Sequence, residues 1–299
     1  MHFVAVLNKD GGTLRTTDLE AFVERSRERF AAEGHTMDAV IVAGRELVAA
    51  LERASKDESV DVVIAGGGDG TASTAAGIMM NTDRVLAILP AGTMNLFARS
   101  LKIPLGLDAA MEAFATGRVQ QVDIASANGK PFVHQFSIGL HAKLVDMRDK
   151  MKYGSRMGKM RASMRAAFTT IIQPPHVNVS IITDSSEIVA RTTGIGISNN
   201  LFGEGHLPYA DRLDQGILGI YITTARTTAE IIRFLLNLAI GRWKKNTKVE
   251  IHQTSALLLK VRGKRRKPYR CVVDGETSNL ARETSIKIHP LALKVLVPT

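Results

Sequence analysis

Val60-Asp61-Val62-Val63-Ile64-Ala65 runs straight into Gly66-Gly67-Gly68-Asp69-Gly70-Thr71, and this junction decides the fold. The first half is almost continuously apolar and rich in β-branched residues, as expected of a strand buried on both faces of a parallel sheet. From Thr71 onward, small residues predict a tightly packed helix over 71–80. Glycines between strand and helix let the backbone approach a ligand closely, and N–H groups at a helix N-terminus can converge on one anion. The junction therefore suits a polyphosphate. It is not a P-loop, because no Gly-Lys-Ser/Thr follows, and Thr71 stands where a dinucleotide fingerprint needs its third glycine. A plain turn uses glycines in the same way, so a second element is needed.

Asp69 is the informative residue within the loop. A carboxylate beside phosphates is repelled unless Mg²⁺ lies between them or the carboxylate takes the proton of an attacking hydroxyl. Either role means phosphoryl transfer.

Outward from this point the first third alternates strands (3–7, 37–42, 60–65, 85–89) with helices (18–33, 46–54, 71–80). That alternation predicts a doubly wound, mostly parallel α/β sheet whose ligands bind beyond the strand C-termini. Asn8, Asp69 and Thr93 converge there on this reading. After residue 122 short strands take over (132–138, 177–182, 193–198, 218–223, 248–252, 256–261, 270–274 and 285–288), with a helix near 159–172. Turn-separated strands of this kind predict an antiparallel β-sandwich or barrel. The expected division is 1–122 for an α/β nucleotide domain and 123–290 for the sandwich, with 291–299 as a strand returning to the first domain.

At 299 residues and 45% hydrophobic, the chain is long enough for two cores. The single Cys271 excludes an intramolecular disulfide and fits a reducing compartment, and its apolar neighbours mark it as a packed thiol. The N-terminus shows no basic segment ahead of a long apolar run, so no signal peptide is expected. Residues 229–240 are the longest apolar helix candidate, interrupted by Arg233 and Asn237 and shorter than the roughly 20 residues a bilayer span needs. The histidines form no zinc motif.

The net charge of +10 calls for an acidic partner. Basic residues gather at 148–165, 242–248 and 260–270, whereas aromatics make up only 5% of the chain and no base-reading module is present. An anionic membrane surface fits better than nucleic acid, with each Lys or Arg worth about 1 kcal/mol near such a surface.

The second element is Pro90-Ala91-Gly92-Thr93-Met94-Asn95-Leu96-Phe97-Ala98-Arg99, which follows another predicted strand. Together with Asn8-Lys9-Asp10-Gly11-Gly12, Val122-Asp123-Ile124 and Val273-Asp274-Gly275-Glu276, it resembles the diacylglycerol kinase catalytic-domain family, which includes bacterial lipid kinases and sphingosine and ceramide kinases. Ser137-Ile138-Gly139-Leu140-His141-Ala142, the segment 152–161 and the loop 199–210 are similar to further family pieces. The resemblance implies an ATP cleft between the two domains. It implies that Asn8, Gly67, Gly68, Asp69, Gly70, Thr71, Gly92, Thr93, Asn95, Arg161 and Glu276 hold the nucleotide. By the same resemblance, Asp69, Asp274 and Glu276 act at the catalytic centre, His141 and Asp146 meet the lipid, and Asp69 and Asp123 organise Mg²⁺.

The implied reaction is in-line transfer of the γ-phosphoryl of Mg-ATP to a hydroxyl of diacylglycerol, ceramide or sphingosine, with Asp69 or Asp274 taking the proton. The resemblance further implies a cytoplasmic enzyme peripheral to the inner face of the membrane, and a homodimer stays open. Two residues depart from the family pattern. Leu96 stands where an Asp is common, and Gln215 stands where an Asp often binds a structural Mg²⁺, with Asp214 one residue away. A soluble kinase related to NAD kinases and a non-catalytic nucleotide- or lipid-binding homologue remain the alternatives.

Overall fold

A computed structural model describes residues 1–145, 174, 176–203, 209–225, 227–242, 246–263 and 269–299. The first segment is α/β. Strands β1 (His2–Asn8), β2 (Thr36–Val42), β3 (Val62–Gly67) and β4 (Val85–Pro90) form a parallel sheet in the order β2-β1-β3-β4. Every residue of β3 is buried, because helices lie on both faces of the sheet. Helix α1 (Leu19–Ala32) begins where the Asp18 side chain accepts the Ala21 N–H at 3.1 Å, and it turns Phe22, Val23, Ser26 and Phe30 inward. In α2 (Leu47–Lys56) the buried set is Leu47, Ala50, Leu51 and Ala54, one stripe at helical spacing. Helix α3 (Asp69–Met79) packs through Ala72, Ala75 and Ala76, so it approaches the sheet closely. Two further helices, α4 (Leu96–Ser100) and α5 (Leu107–Ala115), complete this half.

The second half contains β5 (Arg118–Ala127), β6 (Lys130–Phe132), β7 (Gln135–Gly139), β8 (Val177–Ile182), β9 (Glu187–Thr192), β10 (Gly194–Asn199) and β11 (Leu218–Thr223). Helix α6 (Thr228–Ala239) follows, then β12 (Val249–Thr254), β13 (Ala256–Arg262), β14 (Arg270–Val273), β15 (Glu276–Asn279) and β16 (Glu283–Val297). One antiparallel sheet runs β12-β11-β10-β7-β14-β15, and it packs against β8, β13 and part of β16 through Phe136, Ile197, Val179, Leu259 and Ile286. The fold class is as expected, an α/β half followed by an antiparallel β-sandwich.

The two halves share strands. Strand β16 pairs antiparallel with β13 and β5 and, through Val295 and Leu86, parallel with β4. The parallel sheet therefore continues through β16 into one layer of the sandwich. The expected domain limits at 122/123 and 290/291 both fall inside continuous strands, β5 and β16, at the level of an irregularity between His289 and Leu293. Asp123 is fully buried at that irregularity, accepting the Gly216 N–H at 2.6 Å and the Leu291 N–H at 2.9 Å.

The expected strand 132–138 is two strands, β6 and β7, because Val133 and His134 turn their N–H groups away from the ladder toward Asp274. The expected helix near 159–172 lies outside the described residues. Cys271 is buried, and burial pushes its thiol pKa up, as befits a packed group. Among the described residues, no helix is long and apolar enough to cross a membrane.

Candidate functional site

Strands β1, β3 and β4 end at Asn8, Gly67 and Pro90 on one edge of the parallel sheet, and the three loops that follow are bound to one another. The Ala91 N–H donates to the Gly67 carbonyl and the Thr13 N–H to the Ala91 carbonyl, both at 2.8 Å. Gly12 has φ +38°, and a Cβ there would lie 1.7 Å from the Ala91 oxygen, so no other residue fits. Gly92 is also crowded: a Cβ on it would stand 2.7 Å from the Gly68 Cα. Two glycine backbones thus lie side by side at the N-terminus of α3, whose unsatisfied N–H groups favour an anion.

Asp69 opens α3 and ties the two loops together. Its Oδ2 accepts the Asn95 N–H at 3.0 Å and its Oδ1 the Leu96 N–H at 2.6 Å. Asn95 sits in the left-handed region at φ 49°, and its side chain accepts from Gly92 N at 2.8 Å while donating to Gly92 O at 2.9 Å. Asn95 therefore shapes its own loop. Asn8 does likewise, its Oδ1 accepting the Asp10 N–H at 3.1 Å. The Thr71 side chain is buried and folds back over Gly67, where an added Cβ would meet its Oγ1 at 2.2 Å, whereas Thr93 is exposed.

Asp274 reaches the same place from the sandwich. Held at φ 47°, its carboxylate takes four hydrogen bonds: Ser73 Oγ at 2.7 Å and Val133 N at 2.8 Å on Oδ2, His134 N and Gln135 N at 2.9 Å on Oδ1. Burial pushes its pKa up, although all four donors favour the anion. Through Ser73 the residue clasps α3 to the linker between β6 and β7. Glu276 is exposed and overhangs the first turn of α3, its Oε1 3.1 Å from where a Gly70 Cβ would lie.

These groups line a cavity of about 440 Å³ in which Asp69, Gly70, His134, Gln135, Asp274 and Glu276 face one space. Burial lowers the His134 pKa to about 4, with the Asp69 carboxylate pulling the other way, so this imidazole is neutral near pH 7. Its ring stacks on Phe202 with centroids 5.3 Å apart, and Phe202 stacks on Tyr221 at 5.0 Å. Beyond that stack lies a second cavity of about 290 Å³ bounded mainly by Ile138, Leu140, Leu144, Phe202, Tyr221 and Phe234. Gln135 and His141 line both cavities. His141 Nδ1 lies 2.6 Å from Ser137 Oγ.

The structure thus brings Asp69, Gly70, Asp274, Glu276 and His141 around two cavities that share Gln135 and His141. It does not bring Asp123 to them: that carboxylate is occupied by backbone N–H groups at the β16 irregularity and does not line either cavity, which corrects its pairing with Asp69 around a metal. Arg161 and Asp146 lie outside the described residues. Ser73, His134 and Gln135 were not anticipated. A hydroxyl at Ser73, one helical turn after Asp69 and so on the same helix face, was the available signal for the first. For Mg²⁺, Asp69 and Glu276 offer carboxylate oxygens next to the α3 N-terminus, a hard-oxygen donor set that fits the ion.

Residues 2–127 match the diacylglycerol kinase catalytic domain family, and residues 135–297 match the YegS C-terminal NAD kinase beta sandwich-like domain. A diacylglycerol kinase of Staphylococcus saprophyticus is 26% identical over 68% of this chain and 67% of its own length. An uncharacterized protein of a Synechocystis species is 26% identical over 85% of this chain, which spans only 59% of that relative. A crystal structure of a diacylglycerol kinase from Bacillus anthracis has the same fold, with a TM-score of 0.72 at 18% identity over 99% of this chain and 96% of that one.

Proposed function

Because the chain belongs to the diacylglycerol kinase catalytic-domain family, we propose that it is a lipid kinase, moving the γ-phosphoryl of ATP to a hydroxyl of diacylglycerol or a sphingoid lipid. The observation that carries this reading is the junction of two unlike cavities. A space with three carboxylates on one side and Met94, Leu96 and Phe97 on another shares Gln135 and His141 with a more uniformly apolar one. A lipid needs both, a polar end for the reaction and an apolar wall for its chain. NAD has no acyl chain to lie along the second, and this favours lipid over the NAD-kinase-like alternative.

In the proposed mechanism, amides of the Gly68–Thr71 turn and of the Gly92 loop receive the phosphates. Asp69 and Glu276 would hold the Mg²⁺ carried by the nucleotide, which would neutralise phosphate charge there. Asp69 is the better candidate for proton acceptor. Two N–H donors occupy its oxygens, leaving about half of a carboxylate's roughly four lone-pair sites free. Asp274 already accepts four donors, so despite its raised pKa it acts as a positioning group. His141, which lines both cavities, meets the lipid head group.

The test is transfer of label from γ-labelled ATP, with Mg²⁺, to diacylglycerol, ceramide or sphingosine in mixed micelles, with NAD as a soluble acceptor and Asp69→Asn as blank. Label in one lipid, missing from the blank, is expected. Label in NAD alone would sink the lipid reading, and near-normal turnover by Asp69→Asn would remove Asp69 from the mechanism.

A further inference from the structure

Helix α6 carries apolar side chains on its outward face as well as on its inward one. Ile231 is fully buried and Phe234 lines the apolar cavity. At about 100° per residue, the opposite side carries Ile232, Leu236 and, in the turn that continues the helix, Ile240, which are 46%, 60% and 55% exposed. A solvent-facing helix normally puts polar side chains there, and one apolar on both sides is normally buried or lodged in lipid. Exposed Arg233 and Arg242 flank the stripe. Ile251, also exposed, lies on the same face of β12 as Val249, which lines the cavity.

We propose that this outward face of α6 docks onto an anionic bilayer, its three apolar side chains entering the acyl boundary and the arginines meeting lipid phosphates. The inference rests on the lipid kinase reading for its choice of occupant. Phe234 joins the stripe to the apolar cavity within a single helix, so a lipid in the bilayer would lie next to the space proposed to receive it. Charge agrees, since the chain carries a net +10. The densest basic run is less suited: Lys260 pairs with Glu283 at 3.0 Å and Arg262 with Glu187 at 2.9 Å, far along the other sheet, and residues 264–268 lie outside the described residues.

Sedimentation with phosphatidylglycerol and phosphatidylcholine vesicles tests the surface directly, using the whole chain and its double variant Ile232→Ser/Leu236→Ser. The variant should lose at least about tenfold in partitioning to phosphatidylglycerol, given the apolar area withdrawn from the membrane. Label transfer to a dispersed short-chain diacylglycerol should persist, because neither residue lines a cavity. Arg233→Glu should remove only the part of binding that fades as salt rises. Vesicle binding unchanged in the double variant, or missing in the wild type, would overturn the proposal. A dimer in lipid-free solution that the serines dissolve would assign the stripe to a second copy and overturn it as well. If the wild type binds vesicles through α6 yet transfers no label to dispersed lipid, the docking surface stands and the kinase reading fails.

Discussion

Replacing Asp274 by Asn tests whether this residue is a charged clasp between the two halves. Three of its four donors are backbone amides, from Val133, His134 and Gln135, which cannot turn round. In Asp274→Asn the remaining carbonyl oxygen can serve His134 and Gln135, but the new NH₂ then faces the Val133 N–H, donor against donor. Ser73 can reverse its hydroxyl and accept. One orphaned buried amide costs about 1–3 kcal/mol, and the two surviving bonds together lose roughly 2 kcal/mol on becoming neutral. Relief of the carboxylate's desolvation offsets part of this, leaving a net loss of about 2–3 kcal/mol. The left-handed backbone at φ 47° adds little, since Asn tolerates it. Urea denaturation followed by circular dichroism reads the loss. Ser73→Ala, which removes one donor and orphans none, should cost only about 1 kcal/mol. A loss below about 0.5 kcal/mol for Asp274→Asn would refute the clasp, because no surface-like substitution should be that mild at a saturated buried carboxylate.

Gly92→Ala would drive a Cβ to 2.7 Å from the Gly68 Cα, so the two glycine loops must part. Calorimetric titration with Mg-ATP should show affinity down by at least about tenfold, for a stability cost of about 1–3 kcal/mol, and unchanged affinity would mean the phosphates bind elsewhere. His134 gives a pH prediction. Its folded pKa of about 4 lies below the ordinary 6.5, so the unfolded chain takes up a proton first as pH falls. The stability it supplies is complete above pH 6.5 and is lost progressively toward pH 4, at most about 3 kcal/mol in all. His134→Phe, which keeps a ring against Phe202, should flatten that part of the stability profile, and a profile identical to wild type would show that another group sets it.

Much of the first half was legible because local patterns settled it. The apolar run ahead of Gly66 and the alternation around it placed β1 to β4 within a residue or two, since buried parallel strands and amphipathic helices carry their own periodicities. Strand β16 was legible only in pieces. Pro290 and the left-handed Leu291 interrupt its pattern, so 285–288 and the apolar tail read as separate segments, although they form one strand. The site shows the same division. Asp69 and the Gly92 loop announced themselves by composition, but the partners that give Asp274 its role lie 139 to 201 residues away, and no local signal reports such a meeting. Asp123 misled for a related reason: its side chain satisfies backbone groups that only the folded chain leaves unpaired.

Strand β16 also bears on how the chain is made. The edge of β4 and the register of β5 are both completed by residues 293–297, so the α/β half cannot close its own sheet while the ribosome is still decoding the sandwich. Its apolar edge has to wait, open to mispairing with other chains, until the final strand arrives. Ribosome-arrested chains stopped before residue 283 should therefore be cleaved by protease in the α/β half as readily as in the sandwich. Resistance of that half at such a stall would show that its core forms without its last strand.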